Sequence, residues 1–250
     1  MIILFLFLLL FPSLVNANQI DEKCPQFIVW GAPISSHKQI KHLCRSGYAS
    51  EFNFNYKLSN YVLEKVTVSG VSGKVVRKND FREDTDIPVE FRTKKYDYIR
   101  TGYDRGHLAP AADFTDDIKK MSESFLLSNI APQYPSINRG VWKKIEEWTR
   151  TIAIKYNEVY VITGPIFNTK KYDQSPVLRI PDSFYKIVIE PKQEKIITFI
   201  VPNFYTEKNE ITDFISTVSD VESKTNINFS PQIPKQLELL EKNKSSIDTW

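Results

Sequence analysis

The first twenty residues, Met1 to Ile20, contain no Asp, Glu, Lys or Arg, so all 33 basic and 30 acidic side chains lie in the rest of the 250-residue chain. Histidine is scarce at three, and cysteine and methionine stop at two each. Two cysteines are too few for a four-thiolate zinc site, and His37 and His42 lack the paired spacing of a zinc finger. Internal repeats, heptad runs and low-complexity tracts are missing, which excludes solenoid and coiled-coil architectures. No Pro/Gly/Ser-rich linker divides the chain, so one domain is expected. The excess of basic over acidic residues is only +3. That total identifies no partner, because a phosphate-binding footprint depends on local clustering.

What is present is a core. Hydrophobic residues make up 42% of the chain, with 16 Phe, 12 Tyr and 4 Trp, enough to exclude disorder as a description of the whole. In the charge-free leader, Ile2 to Phe11 is an unbroken apolar run followed by Pro12, Ser13 and Val15-Asn16-Ala17. This is the layout of a secretory signal peptide cut after Ala17, although the usual basic n-region is missing. A spanning helix needs about 20 apolar residues, more than the run supplies, so no stable membrane anchor is expected. Residues 18–250 would form the domain, secreted or periplasmic. An oxidising compartment would let Cys24 and Cys44 close a disulfide.

Along the body, hydrophobic periodicity predicts an α+β layout. Tyr48–Tyr56 and Tyr61–Val68 read as strands, Val71–Lys74 as a turn, and Asn79–Lys95 as a long loop. A helix is expected over Thr115–Ser122, capped by Thr115 or Asp116, and a short strand over Phe125–Asn129. A Pro-punctuated loop, Ala131–Ser136, leads to a helix from Asn138 to Tyr156. Its stripe of Trp142, Ile145, Trp148, Ile152 and Tyr156 marks the core face. Glu158–Gly164, Tyr185–Glu190 and Ile196–Pro202 read as strands, and Thr212–Val221 as a last helix.

Candidate chemistry gathers in two places. His107 follows Asp104-Arg105-Gly106; an imidazole with a pKa of about 6.5 is largely neutral at pH 7 and can take a proton from water. Arg105 beside it offers a planar fork for phosphate oxygens. On the helix, Glu146 and Arg150 share a face. Eight residues separate Asn138 from Glu146, a rise of about 12 Å, so both serve one cation only if Glu146 acts through a bound water. Each feature alone has a plainer reading: a surface turn, an N-cap at Asn138 and an i,i+4 ion pair.

Taken together, Asp104-Arg105-Gly106-His107-Leu108-Ala109, Leu127-Ser128-Asn129-Ile130-Ala131-Pro132-Gln133, and Asn138, Trp142, Glu146 and Arg150 resemble the signature of the DNA/RNA non-specific endonucleases, the family of endonuclease G. Weaker likeness runs through Gly47-Tyr48, Gly164-Pro165, Ile180-Pro181, Phe184-Tyr185-Lys186, Pro202-Asn203 and Asp220-Val221-Glu222. Asn226 departs from it, standing where glycine is expected after Thr225. The resemblance implies a single α+β domain with a central mixed or antiparallel sheet and a ββα-metal finger, two strands carrying His107 and Asn129 packed on the helix from Asn138. It implies His107 as general base, Asn138 as the direct ligand of one Mg²⁺ (Mn²⁺ as substitute) and Glu146 as holder of metal-bound waters. Arg105 and Arg150 would clamp the phosphate, with Asn129 supporting the site and Asp104 pairing locally. Arg100, Arg139, Lys143 and Lys144 could widen the basic footprint, while His37 and His42 read as structural. DNA and RNA are the implied substrates, 5′-phosphate ends the implied products, and a homodimer is expected by the same likeness. No residue speaks to an inhibitor partner. The rival readings are a non-catalytic nucleic-acid-binding or uptake protein on the same fold, and a toxin paired with an immunity protein.

Overall fold

The computed structural model describes residues 19–167 and 178–250, so the expected signal peptide lies outside the described residues. Among these, seven strands form one antiparallel sheet in the order Ile215–Ser216, Lys195–Pro202, Ser183–Glu190, Glu158–Ile166, Leu58–Thr67, Tyr48–Asn53 and Ile40–Cys44. The central strands are buried on both faces, and side-chain alternation sorts two cores. Leu58, Val62, Val66, Val161, Phe184 and Val188 face the long helix Val141–Tyr156. Tyr61, Leu63, Ile162, Tyr185 and Ile187 face Val218 and Val221 of the helix Val218–Thr225, together with Phe229.

Tertiary packing, more than helix propensity, holds the long helix. It buries Trp142, Ile145 and Ile152, with Trp148 and Tyr156 packed alongside. Each fully buried apolar side chain contributes roughly 1.5–3 kcal/mol, whereas an isolated helix of this length is marginal in water. The predicted stripe is therefore the packed face. Cys24 and Cys44 form the expected disulfide, with Cα atoms 6.0 Å apart. It staples the N-terminal segment, whose Ile20 and Phe27 are buried, to the edge strand Ile40–Cys44. Closing this loop is worth on the order of 3 kcal/mol. No helix of the described residues is long and apolar enough to cross a membrane.

Several boundaries differ from the sequence expectation. The helix predicted from Asn138 is two helices, Pro135–Arg139 and Val141–Tyr156, separated at Gly140 (φ −105°, ψ −114°). A Cβ on Gly140 would stand 2.3 Å from the Ser136 carbonyl oxygen, so this joint requires glycine. Phe125–Asn129 is not a strand. It ends in a 3₁₀ turn, Leu127–Asn129, and the strand is Ile130–Gln133, inside the expected loop. Pro132 is tolerated there because the ladder has only two strands, leaving one edge of each unpaired. The helix placed at Thr115–Ser122 runs over Ile118–Glu123 and is capped by Asp117, which accepts from Lys119 N and Lys120 N. The helix expected over Thr212–Val221 runs over Val218–Thr225, capped by Thr217, because Ile211–Phe214 and Ile215–Ser216 form a 3₁₀ turn and the sheet's edge strand; it is not the last, since Glu238–Lys242 is helical too. Asn226 ends that helix at φ 55°, a left-handed position that glycine favours and asparagine tolerates.

Candidate active site

The strand Asp104–His107 pairs antiparallel with Ile130–Gln133, His107 opposite Ile130 and Asp104 opposite Gln133. The Pro135–Arg139 helix is fastened to this hairpin by one carboxylate. Asn138 Nδ2 donates to Asp104 Oδ2 at 2.9 Å, and Arg139 donates Nε and Nη2 to the same group at 2.8 and 2.6 Å. Burial opposes ionisation of Asp104, but the hydrogen bonds from Arg139 and Asn138 outweigh it and hold the carboxyl below its ordinary range. With Nδ2 committed, the amide oxygen of the half-buried Asn138 is the atom left to meet a cation. Asn138 is thus an oriented ligand candidate in the last turn of a short helix, and it caps nothing.

His107 sits in an aromatic collar. Its ring is 5.4 Å from Phe81 and 4.9 Å from Phe125, the latter edge-to-face. The ring is partly exposed, yet Nε2 is turned inward and has no hydrogen-bond partner among the described residues. Burial, then the charge of Arg77, lowers its pKa to about 3, so the imidazole is neutral at pH 7 and a weaker base than a free imidazole. Asn129 holds the end of this strand: its amide donates to Ala109 O and Ser124 O and accepts from Ala109 N. These three bonds to backbone make it a positioning group. Arg105 is exposed, its guanidinium 4.6 Å from the Phe81 ring centroid.

The long helix carries Glu146 and Arg150, and the charge of Arg77 that acts on His107 acts on Glu146 too. Arg150 Nη1 donates to the buried Asp113 at 2.9 Å, so the sequence-adjacent i,i+4 pair is not its main ion pair. Glu146 is half-buried, and burial raises its pKa to about 7, against the pull of Lys186 and Arg150. Beneath it, two residues of the sheet complete a buried charged layer. Lys186 donates to Thr163 Oγ1 at 2.7 Å and lies 5.4 Å from the Trp142 ring. Glu64 is 1% exposed, and neither carboxylate oxygen has a hydrogen-bond partner among the described residues. Burial pushes its pKa well up, reinforced by Asp113 and Glu146 and opposed by Lys186 and Arg150.

The structure therefore places Asp104, Arg105 and His107 on one strand, Asn129 in the 3₁₀ turn before its partner strand and Asn138 on the short helix, with Glu146 and Arg150 on the long helix that follows. It spends most of the expected basic footprint on ion pairs: Arg139 with Asp104, Lys143 with Glu147 and Lys144 with Glu210. Arg100 is exposed at φ 60°. His37 bonds Thr225 O and His42 bonds Glu51, both away from the site and structural as expected. Sequence reasoning missed Arg77, Asp113, Lys186 and Glu64. Glu64 was findable, because alternation with Val62 and Val66 puts a carboxylate on the inward face of a strand. The partnership of Asp113 with Arg150 carries no sequence signal.

The donor set suits a hard cation that keeps its waters. Among the described residues, no three of His, Cys, Asp and Glu gather as a metal cage. One amide oxygen, with a carboxylate acting through water, matches the sparse protein ligation that Mg²⁺ accepts.

Comparison with known proteins gives the family and the fold. Residues 26–236 match the family model described as DNA/RNA non-specific endonuclease, and the chain belongs to that family. It is 32% identical over 215 residues to the mitochondrial nuclease of Saccharomyces cerevisiae, covering 76% of this chain and 65% of the yeast protein. It is also 32% identical over 189 residues to human mitochondrial endonuclease G, covering 69% of this chain and 64% of that protein. The matched region is thus slightly under two thirds of those relatives. A chain in the crystal structure of the EndoG/EndoGI complex superimposes with a TM-score of 0.76 at 26% identity, over 86% of this chain and 94% of that one.

Proposed function

We propose that this chain is an exported, Mg²⁺-dependent endonuclease that hydrolyses phosphodiester bonds of DNA and RNA and leaves 5′-phosphate ends. The observation that carries the reading is the Asp104 carboxylate. It docks Asn138 on the strand of His107, so a cation-directed amide oxygen and a neutral base share one rigid unit. His107 takes the proton of the attacking water. Arg105 and Arg150 hold the phosphate and offset the charge that develops on its oxygens, with Arg77 contributing from the facing loop. Asn138 and Glu146 would hold the metal, which when bound stabilises the leaving 3′ oxygen. Contacts restricted to phosphate and sugar carry little sequence information, which accounts for cleavage without base preference.

The charge-free leader and the Cys24–Cys44 bridge support export. The mitochondrial location in the names of the yeast and human relatives belongs to those proteins. Presence of His107, Asn138 and Glu146 together favours turnover over a binding or uptake role.

The test is incubation of the purified protein with plasmid and with RNA, in Mg²⁺ or in EDTA, beside a His107→Ala variant. Cleavage confined to the wild type with Mg²⁺ is expected. Equal cleavage by both proteins, or undiminished cleavage in EDTA, overturns the mechanism.

A further inference from the structure

Phe204 and Tyr205 are adjacent in sequence and 58% and 63% exposed. They sit on an arch pinned at both ends to the elements of the candidate active site. At one end Asn203, 5% exposed, donates to Pro132 O and Pro181 O and accepts from Tyr134 N at 2.7 Å. Pro132 is the strand partner of Arg105, and Tyr134 caps the helix that carries Asn138. At the other end Lys144, on the first turn of the long helix, donates to Asn209 O at 2.9 Å.

We propose that Phe204 and Tyr205 are a stacking platform for unpaired bases of the polynucleotide whose phosphate lies at Arg105 and Arg150, giving the protein a tighter grip on single strands than on duplex. This rests on the nuclease reading for the position of the phosphate. Two adjacent exposed aromatic rings on a segment tied at Asn203 and Asn209 present apolar faces to solvent, and every base has a face to match. In a duplex those base faces are already covered by neighbouring pairs, so the platform serves unstacked bases. Charge does not explain the surface, because the nearby Arg139, Lys143 and Lys144 are paired with Asp104, Glu147 and Glu210.

The test separates binding from turnover. In a His107→Ala background with EDTA, fluorescence anisotropy measures the affinity of one oligonucleotide sequence, single-stranded and as duplex, with and without Phe204→Ala/Tyr205→Ala. The expected result is a loss of about tenfold or more for the single strand, at least one base stack, and under about twofold for the duplex. The slope of affinity against salt should stay the same, because no phosphate contact is removed. Phe204→Tyr/Tyr205→Phe should retain the binding. Equal loss on both substrates, no loss on either, or no measurable binding of the single strand overturns the proposal. So does a shift in sedimentation velocity from dimer to monomer, which would assign the rings to a second copy of the chain. Should the His107-containing protein fail to cleave anything, the nuclease reading falls while the anisotropy comparison still decides whether the rings stack bases.

Discussion

Asp104 accepts a 2.9 Å hydrogen bond from Asn138 Nδ2 while its second oxygen holds Arg139, so one carboxylate fixes the rotation of the Asn138 amide, the group proposed to meet the cation. Asp104→Asn would keep the size but lose the charge that anchors Arg139, and an amide nitrogen turned to Asn138 would reverse the Asn138 amide. Losing a group that orients a metal ligand typically costs about 10- to 100-fold in metal affinity. The Mg²⁺ concentration for half-maximal cleavage should rise by about that factor, with KM for DNA at saturating metal nearly unchanged. Mn²⁺ binding followed by electron paramagnetic resonance should weaken in parallel. An unchanged metal requirement would show that Asp104 is only a structural pair.

Arg150 and Asp113 are 18% and 3% exposed along their side chains, so their 2.9 Å contact is a buried ion pair. Removing one partner strands the other without compensation, which costs about 3–5 kcal/mol, while removing both is far cheaper. Arg150→Met should therefore lose more stability in urea denaturation than the double variant Arg150→Met/Asp113→Asn. Both should be poor nucleases, because each lacks the phosphate-directed guanidinium. Strict additivity of the two stability changes would refute the pair as the main role of Asp113.

Glu64 gives a pH test of stability. Its pKa is about 4.5 unfolded and well above that when folded, through burial first. The folded state then holds a proton that the unfolded chain releases, so this group's contribution is fully present below about pH 4.5 and falls as pH rises toward the folded pKa. Glu64→Gln stays neutral throughout. The variant should match wild type near pH 4 and exceed it at pH 8, as read from denaturant midpoints at the two values. A difference of the same size at both would mean that Glu64 does not titrate between folded and unfolded states.

The parts of this molecule that were legible beforehand are those where local pattern and tertiary contact agree. The Trp142-to-Tyr156 stripe repeats at helical spacing, and the strands from Glu158 to Pro202 are nearly continuous apolar runs, so periodicity alone places them. The motif residues His107, Asn138, Glu146 and Arg150 were visible as residue types at fixed intervals. Asp104 was visible too, but its part in holding Asn138 depends on a contact across 34 positions. Gly140 lies inside the helix expected from Asn138, and only the approach to Ser136 shows that it ends one helix and starts another. Lys186 entered only within the Phe184-Tyr185-Lys186 likeness, and its burial follows from a sheet covered on both faces.

The charge state of Glu146 gives the last prediction. Burial sets its pKa near 7, while that of His107 is near 3, so within the range of pH 5 to 8 the carboxyl is the group that titrates. A cation held through Glu146 requires the ionised form, so protons and Mg²⁺ compete for it. The acid limb of cleavage should therefore lie near pH 7 at limiting Mg²⁺ and move to lower pH as Mg²⁺ is raised. With one proton displaced per cation, the limit is about one pH unit per tenfold increase in metal. Glu146→Gln should abolish that displacement along with most of the activity. Rate profiles at two Mg²⁺ concentrations decide the matter. A limb fixed near pH 6.5 at both would transfer the titration to His107 and contradict the neutral imidazole held in the aromatic collar with Nε2 turned inward.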